Sequence, residues 1–175
     1  MTSGHLQGKF LEMISKMINP ENILEIGTFT GYSAICLAKG LKAGGKLITI
    51  EINDELNSFA HSYFCRSGLE SCIEQKTGSA LEIIPGLNTM FDLVFIDGDK
   101  REYCDYYRLI IDKVKPGAFI LADNVLWGGK AIENDSTDPQ TLGIIDFNEM
   151  ISKQKDIEQV MLPIRDGLTL IRKKA

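Results

Sequence analysis

No stretch of the chain stays apolar for the roughly 20 residues that a membrane-spanning helix needs. The opening Met1-Thr2-Ser3-Gly4-His5 lacks the basic-then-apolar order of a secretory leader. Cysteine is scarce, and Cys36, Cys65, Cys72 and Cys104 contain no Cys-x-x-Cys pair. That argues against a structural zinc site and suits reduced thiols in a cytoplasmic compartment. Positive charge is short as well: 19 Lys+Arg stand against 24 Asp+Glu, a formal net charge of −5. The deficit weighs against extended nucleic-acid binding but leaves room for a local basic patch. Neither of the two histidines, His5 and His61, falls in a pattern that points to chemistry. Repeats, low-complexity tracts and linkers are missing too. What remains, 44% hydrophobic and 25% charged over 175 residues, is the composition of one globular domain large enough for a full core.

Along that domain helical and strand patterns alternate. Leu6, Phe10, Met13, Ile14, Met17 and Ile18 recur at helical spacing until Pro20 stops them. A strand is expected at Ile23 to Ile26 and a helix from about Gly31 to Lys39. Gly44-Gly45 turns into a second strand, Lys46 to Glu51, and Asn53 caps a helix ending near Gly68. A short strand at Ile73 to Lys76 and a short helix at Ala80 to Ile84 follow. Phe91 to Asp97 reads as the fourth strand, with a helix from Arg101 to Lys113 behind it; Pro116-Gly117 opens the fifth. Residues Trp127 to Gln140 read as a long polar loop and Leu142 to Ser152 as a helix. Asp166-Gly167 lies between the apolar runs Glu158 to Leu162 and Leu168 to Arg172, so the last strand is expected to be antiparallel to its neighbour. This is a doubly wound α/β pattern with a mostly parallel sheet.

Two acidic patches end consecutive buried strands: Asp97-Gly98-Asp99-Lys100 after Leu93 to Ile96, and Asp123-Asn124 after Ala118 to Leu121. Ligands of open α/β sheets bind at such strand ends. Paired strands lie about 4.8 Å apart, so Asp97, Asp123 and Asn124 are within reach of one cation. Oxygen donors favour magnesium, with manganese or calcium next, over zinc. Earlier in the chain, Leu24-Glu25-Ile26-Gly27-Thr28-Phe29-Thr30-Gly31-Tyr32-Ser33 is a strand, a glycine turn and a helix start. It reads Gly-x-x-x-Gly, with Phe29 where a dinucleotide fingerprint has its second glycine. Glu25 beside that turn suits a cationic ligand end better than a diphosphate. Glu51 closes the next strand, where an acidic side chain accepts ribose hydroxyls. A nucleoside carrying an amino acid satisfies both carboxylates, and S-adenosylmethionine is such a molecule.

Together these stretches, with Phe91–Lys100 and Leu162–Leu170, resemble the cation-dependent class I O-methyltransferases typified by the caffeoyl-CoA and catechol enzymes. The resemblance runs from about Gln7 to the C-terminus and implies a Rossmann-like seven-stranded sheet, mostly parallel with an antiparallel C-terminal hairpin strand. It also implies roles. Glu25, Gly27 and Thr28 would lie along the methionine part of the cofactor with Gly31 in the same turn, and Ser33 would meet its carboxylate. Glu51 would hold the ribose, Ser79 and Ala80 would border the adenine, and Asp97 and Asp99 would lie near the cofactor. Asp97, Asp123 and Asn124 would bind the metal. Lys100 would be the general base beside Asp97, and Tyr103 would complete an Asp-Lys-x-x-Tyr signature. Trp127 is a candidate wall for a hydroxylated aromatic acceptor, and residues 128–140 are the candidate for acceptor selectivity. A homodimer is expected from the family.

Family members carry some tens of residues before the stretch that resembles Gln7–Asn19, and those help cover the active site. Here the resemblance starts almost at residue 1, so a more open acceptor pocket or a shortened chain is expected. Two other functions compete. Some bacterial relatives methylate a hydroxylated uridine in tRNA, for which Lys39, Lys42, Lys46, Arg101 and Arg108 would supply a basic patch. A truncated module that binds cofactor without catalysis is the other.

Overall fold

The computed structural model describes residues 4–132 and 135–175. Met1 to Ser3, and residues 133 and 134 of the loop expected to set selectivity, lie outside the described residues. Seven strands form one sheet: β1 (Asn22–Ile26), β2 (Lys46–Glu51), β3 (Ile73–Thr77), β4 (Phe91–Ile96), β5 (Val114–Asp123), β6 (Ile157–Leu162) and β7 (Leu168–Lys173). Their order is β3-β2-β1-β4-β5-β7-β6. The five from β3 to β5 run parallel, while β7 is antiparallel to both β5 and β6. The expected antiparallel hairpin is thus present, and its outer strand β6 inserts no further than the edge. The strand order reverses between β1 and β4, where Ile26 pairs with Ile96. At such a switch point the crossovers leave a crevice beyond the carboxyl ends.

Alternate side chains of each strand enter opposite layers, as a two-residue period requires. Leu24, Ile26, Val94 and Ile96 pack in one core with Tyr103, Tyr107, Ile144 and Phe147. Those come from α5 (Tyr103–Ile110) and α6 (Pro139–Ser152), with α4 (Ala80–Ile83) alongside. Ile23, Leu47, Leu93 and Phe95 pack in the other core with Leu11, Leu37 and Phe64. These belong to α1 (His5–Ile18), α2 (Tyr32–Ala38) and α3 (Asn57–Ser67).

Several boundaries differ from the sequence expectation. The fifth strand starts at Val114, not after Gly117; a register shift between Phe91 and Leu93 absorbs Pro116 and Gly117 at its start. The supposed loop carries short helical turns within Trp127–Ile132, kinked at Gly128 and Gly129 where φ is positive, and α6 begins at Pro139 because Asp138 accepts from the Thr141 N–H as its N-cap. Asn53 does cap, but it caps a 3₁₀ turn, Asp54–Leu56, that precedes α3. In α1 the helix forms where its apolar spacing predicts, yet Leu6, Met13 and Met17 are 69%, 56% and 78% exposed. Its buried face is Gln7, Gly8, Leu11, Glu12 and Ser15. All four cysteines are free thiols, and no helix among the described residues is long and apolar enough to cross a membrane.

Candidate functional site

The geometry begins with a close backbone approach. Gly27 leaves β1 at φ +101°, and a Cβ there would run into the carbonyl oxygen of Asp97. Any side chain at 27 would therefore push the ends of β1 and β4 apart. Gly31, also at positive φ, has its absent Cβ facing Phe64 and Ala60. It lets α2 start against α3, whereas Gly27 lines the cleft. That cleft, about 680 Å³, lies above the strand ends. Glu51, Ser79, Ala80, Asp97, Asp99, Lys100, Asn124 and Trp127 all border it, whereas Glu25, Thr28, Ser33 and Asp123 lie behind its wall.

Asp97 and Asp123 end the adjacent strands β4 and β5. Burial raises both carboxyls, and for Asp123 the charge of Asp97 adds to it, taking the group up to about 6. Contacts with Lys100 oppose the rise at Asp97, and hydrogen bonds from Gln7 and the Asn124 N–H oppose it at Asp123. Asn124, 9% exposed, takes a left-handed conformation at φ +60°. Among the described residues no cluster holds three His, Cys, Asp or Glu; this trio has two carboxylates and one amide. The buried Asp123, the half-buried Asp97 and the Asn124 amide offer hard oxygen donors, a set whose chemistry fits a divalent cation.

Lys100 is only 5% exposed. Its Nζ donates to Asp97 Oδ1 at 2.9 Å and to the Tyr103 hydroxyl at 2.7 Å. The Trp127 ring centroid is 6.0 Å away. The Tyr103 hydroxyl, whose titration burial drives far up, stays a donor and shares its proton between the Asp123 and Ile96 carbonyls at 2.8 and 3.2 Å. Tyr103 thus ties together the ends of β4 and β5 and the lysine between them.

On the other side of the switch point, Glu25 is fully buried on β1 at a position that would otherwise be apolar. The Thr49 hydroxyl donates to its Oε2 at 2.5 Å. Since Thr49 has one proton, Thr28 must be the donor in the 2.5 Å contact between the two threonines. Glu25 Oε1 has no hydrogen-bond partner. Burial pushes this carboxyl up to about 8 despite the Ser33 and Thr49 hydroxyls, with Asp97 and Glu51 adding repulsion. An orphaned, buried oxygen under a glycine turn fits a ligand that brings a donor or a positive charge. Glu51, at the border of the cleft, accepts from the Phe29 and Asn53 N–H groups at 2.7 and 3.0 Å. Asp99 caps the next turn through the Arg101 N–H and pairs with the Arg101 guanidinium.

Three positions have no motif to announce them. Gln7 donates to Asp123 Oδ2 at 2.6 Å. Gln140 Oε1 accepts from the Lys100 N–H at 3.1 Å. Gly143 has no room for a Cβ, which would strike the Lys100 carbonyl. So α6 presses on the backbone of Lys100, and α1 touches Asp123. A signal for Gln7 exists in retrospect: it occupies the i, i+4, i+8 stripe with Leu11 and Ser15.

A family model described as O-methyltransferase matches residues 1–174. A catechol O-methyltransferase from Niastella koreensis is 37% identical over 173 residues, 94% of this chain and 78% of that protein. Caffeoyl-CoA O-methyltransferase 2 of Populus trichocarpa is 33% identical, over 99% of this chain and 75% of its own. An O-methyltransferase from Bacillus cereus, solved in complex with SAH, superposes with a TM-score of 0.94 at 34% identity, covering 99% of this chain and 83% of that one.

Proposed function

The chain belongs to the O-methyltransferase family, and on that premise we propose that residues 1–175 form one domain that methylates a vicinal hydroxyl of a catechol-like acceptor. S-adenosylmethionine is the methyl donor, and a divalent cation, magnesium before manganese or calcium, assists. The observation that carries this is the meeting of two chemistries in one cleft. Glu51 borders the cleft with Glu25 buried beneath its glycine turn, and Asp97 and Asn124 border the same cleft with Asp123 buried beside them.

Glu25, Gly27, Thr28 and Ser33 would take the amino-acid end of the cofactor, and Glu51 its ribose. Ser79 and Ala80, at the start of α4, would border the base, with Asp99 nearby. Asp97, Asp123 and Asn124 would hold the cation. When bound, the sulfonium supplies an electrophilic methyl and the cation acidifies a chelated hydroxyl. Lys100 would take the proton of that hydroxyl at Nζ. Tyr103 and Asp97 keep Nζ aimed, and Gln140 and Gly143 keep its backbone in place. Trp127 would exclude water along one wall and align the acceptor ring. The cleft border also counts against tRNA, since Glu51, Asp97, Asp99 and Glu102 outnumber Lys100 and Arg101 there.

The test is an acceptor comparison. Catechol should yield its monomethyl ether in the presence of S-adenosylmethionine and magnesium, and resorcinol, with its hydroxyls apart, should not. Equal methylation of both would reject the vicinal-diol assignment.

A further inference from the structure

Gln7 stands in the first turn of α1, 116 positions from Asp123, and only 1% of it is exposed. A buried carboxamide is unfavourable by a few kcal/mol unless its polar atoms are paired. Here α1 has a full complement of exposed apolar residues that a rotated helix would bury instead. The helix is held in this rotation at both ends of its inward stripe. Gln7 donates to Asp123 Oδ2, and Ser15 Oγ donates to the Leu37 carbonyl at 2.6 Å, with Leu11 buried between them. Gly8 admits the Tyr32 ring, which would lie 2.5 Å from a Cβ there. The packing therefore favours delivery of one amide N–H to one carboxylate over burial of Leu6, Met13 and Met17.

At that carboxylate every oxygen has a donor. Oδ2 takes Gln7, and Oδ1 takes the Asn124 N–H at 2.8 Å. An ionised carboxylate only accepts, so Gln7 must present its nitrogen. Each oxygen keeps a second lone pair. Two donors from different elements fix the plane of the group and offset the repulsion from Asp97.

We propose that Gln7 is a positioning residue for the divalent cation, so that its amide donor on Asp123, and not the strand ends alone, sets the metal affinity of the site. This rests on the assignment of Asp97, Asp123 and Asn124 as the metal site. Partners that orient a ligating carboxylate change metal affinity by about 10- to 100-fold when removed.

The experiment titrates Mn²⁺ into wild type, Gln7→Met and Leu11→Ala, reading free Mn²⁺ by electron paramagnetic resonance and S-adenosylhomocysteine binding by calorimetry. Gln7→Met keeps the side-chain length and removes the donor; Leu11→Ala loosens α1 without touching Asp123. Gln7→Met is expected to weaken Mn²⁺ binding about 10- to 100-fold and leave S-adenosylhomocysteine affinity unchanged, while Leu11→Ala lowers thermal stability but keeps Mn²⁺ affinity. Gln7→Asn, a methylene short, serves if Gln7→Met does not fold, with the same expectation. Unchanged Mn²⁺ affinity in the glutamine variants, or an equal loss in Leu11→Ala, overturns the proposal and spares the metal assignment. A wild type that binds no Mn²⁺ overturns both.

Discussion

At the scale of single residues the site depends on groups whose surroundings set their charge. Lys100 is tested by its position rather than its charge, since its Nζ is held by Asp97 and Tyr103 at the border of the cleft. Lys100→Met keeps the length and apolar stem of the side chain and removes the base. Turnover should fall by about 10²- to 10⁴-fold while calorimetry shows cofactor binding intact; unchanged turnover would remove Lys100 from the chemistry. Glu25 predicts a pH dependence of a different kind. Its carboxyl titrates near 8 in the folded chain against an ordinary value of 4.5. Between those values the folded state holds more protons than the unfolded one, so stability should fall as pH rises from about 4.5 to 8. Glu25→Gln should flatten that slope in denaturant titrations, and a wild-type slope of the opposite sign would contradict the assignment. The placement of Glu25, Asp97, Lys100 and Asp123 at or just beyond the carboxyl ends of β1, β4 and β5 was legible in the sequence, because each lies where an apolar run gives way to polar residues. Gln7 was not. Its stripe with Leu11 and Ser15 marks an inward position, but the partner, 116 positions away, is encoded by no local pattern.

At the scale of elements, helices hold the strand ends to their work. The turn at Lys100 is held from outside by α6, through Gln140 and through the missing side chain of Gly143. Gly143→Val would put a branched side chain against the Lys100 carbonyl, and helix and turn would have to separate. Overpacking of this kind costs about 1–3 kcal/mol, readable as a lowered denaturant midpoint. Catalysis should fall further than stability alone explains, and a variant destabilised but fully active at low temperature would show that α6 does not position the lysine. The start of α6 also marks where sequence reading stopped short. Asp138-Pro139 is a strong helix opening, but the polar composition of residues 133–140 masks it. The inward face of α1 was misleading for the opposite reason, since its apolar residues advertise a core face that polar contacts then overrule.

At the scale of the molecule, strand order made the site. The jump in strand order from β1 to β4 brings Glu25 near Asp97, with Glu51 and Asp123 one strand further out on either side. The alternation of helix and strand was visible in the residues, as was the antiparallel end signalled by Asp166-Gly167. The pairing of β7 between β5 and β6 was not, since edge order depends on long-range packing that leaves no local mark. Both cores, one under α1 to α3 and one under α4 to α6, include residues of β1 and β4, the strands that flank the switch point. Disturbing either is expected to reach the site through the ends of β1 and β4.

The central claim is that methyl transfer in this cleft needs the oxygen donor set to be filled. The most direct measurement is S-adenosylhomocysteine release from S-adenosylmethionine and a simple catechol acid, first with magnesium and then with excess EDTA. Release that EDTA abolishes and magnesium restores is the predicted result. Release that persists at full rate in EDTA would contradict the account, leaving Asp97, Asp123 and Asn124 to some other purpose.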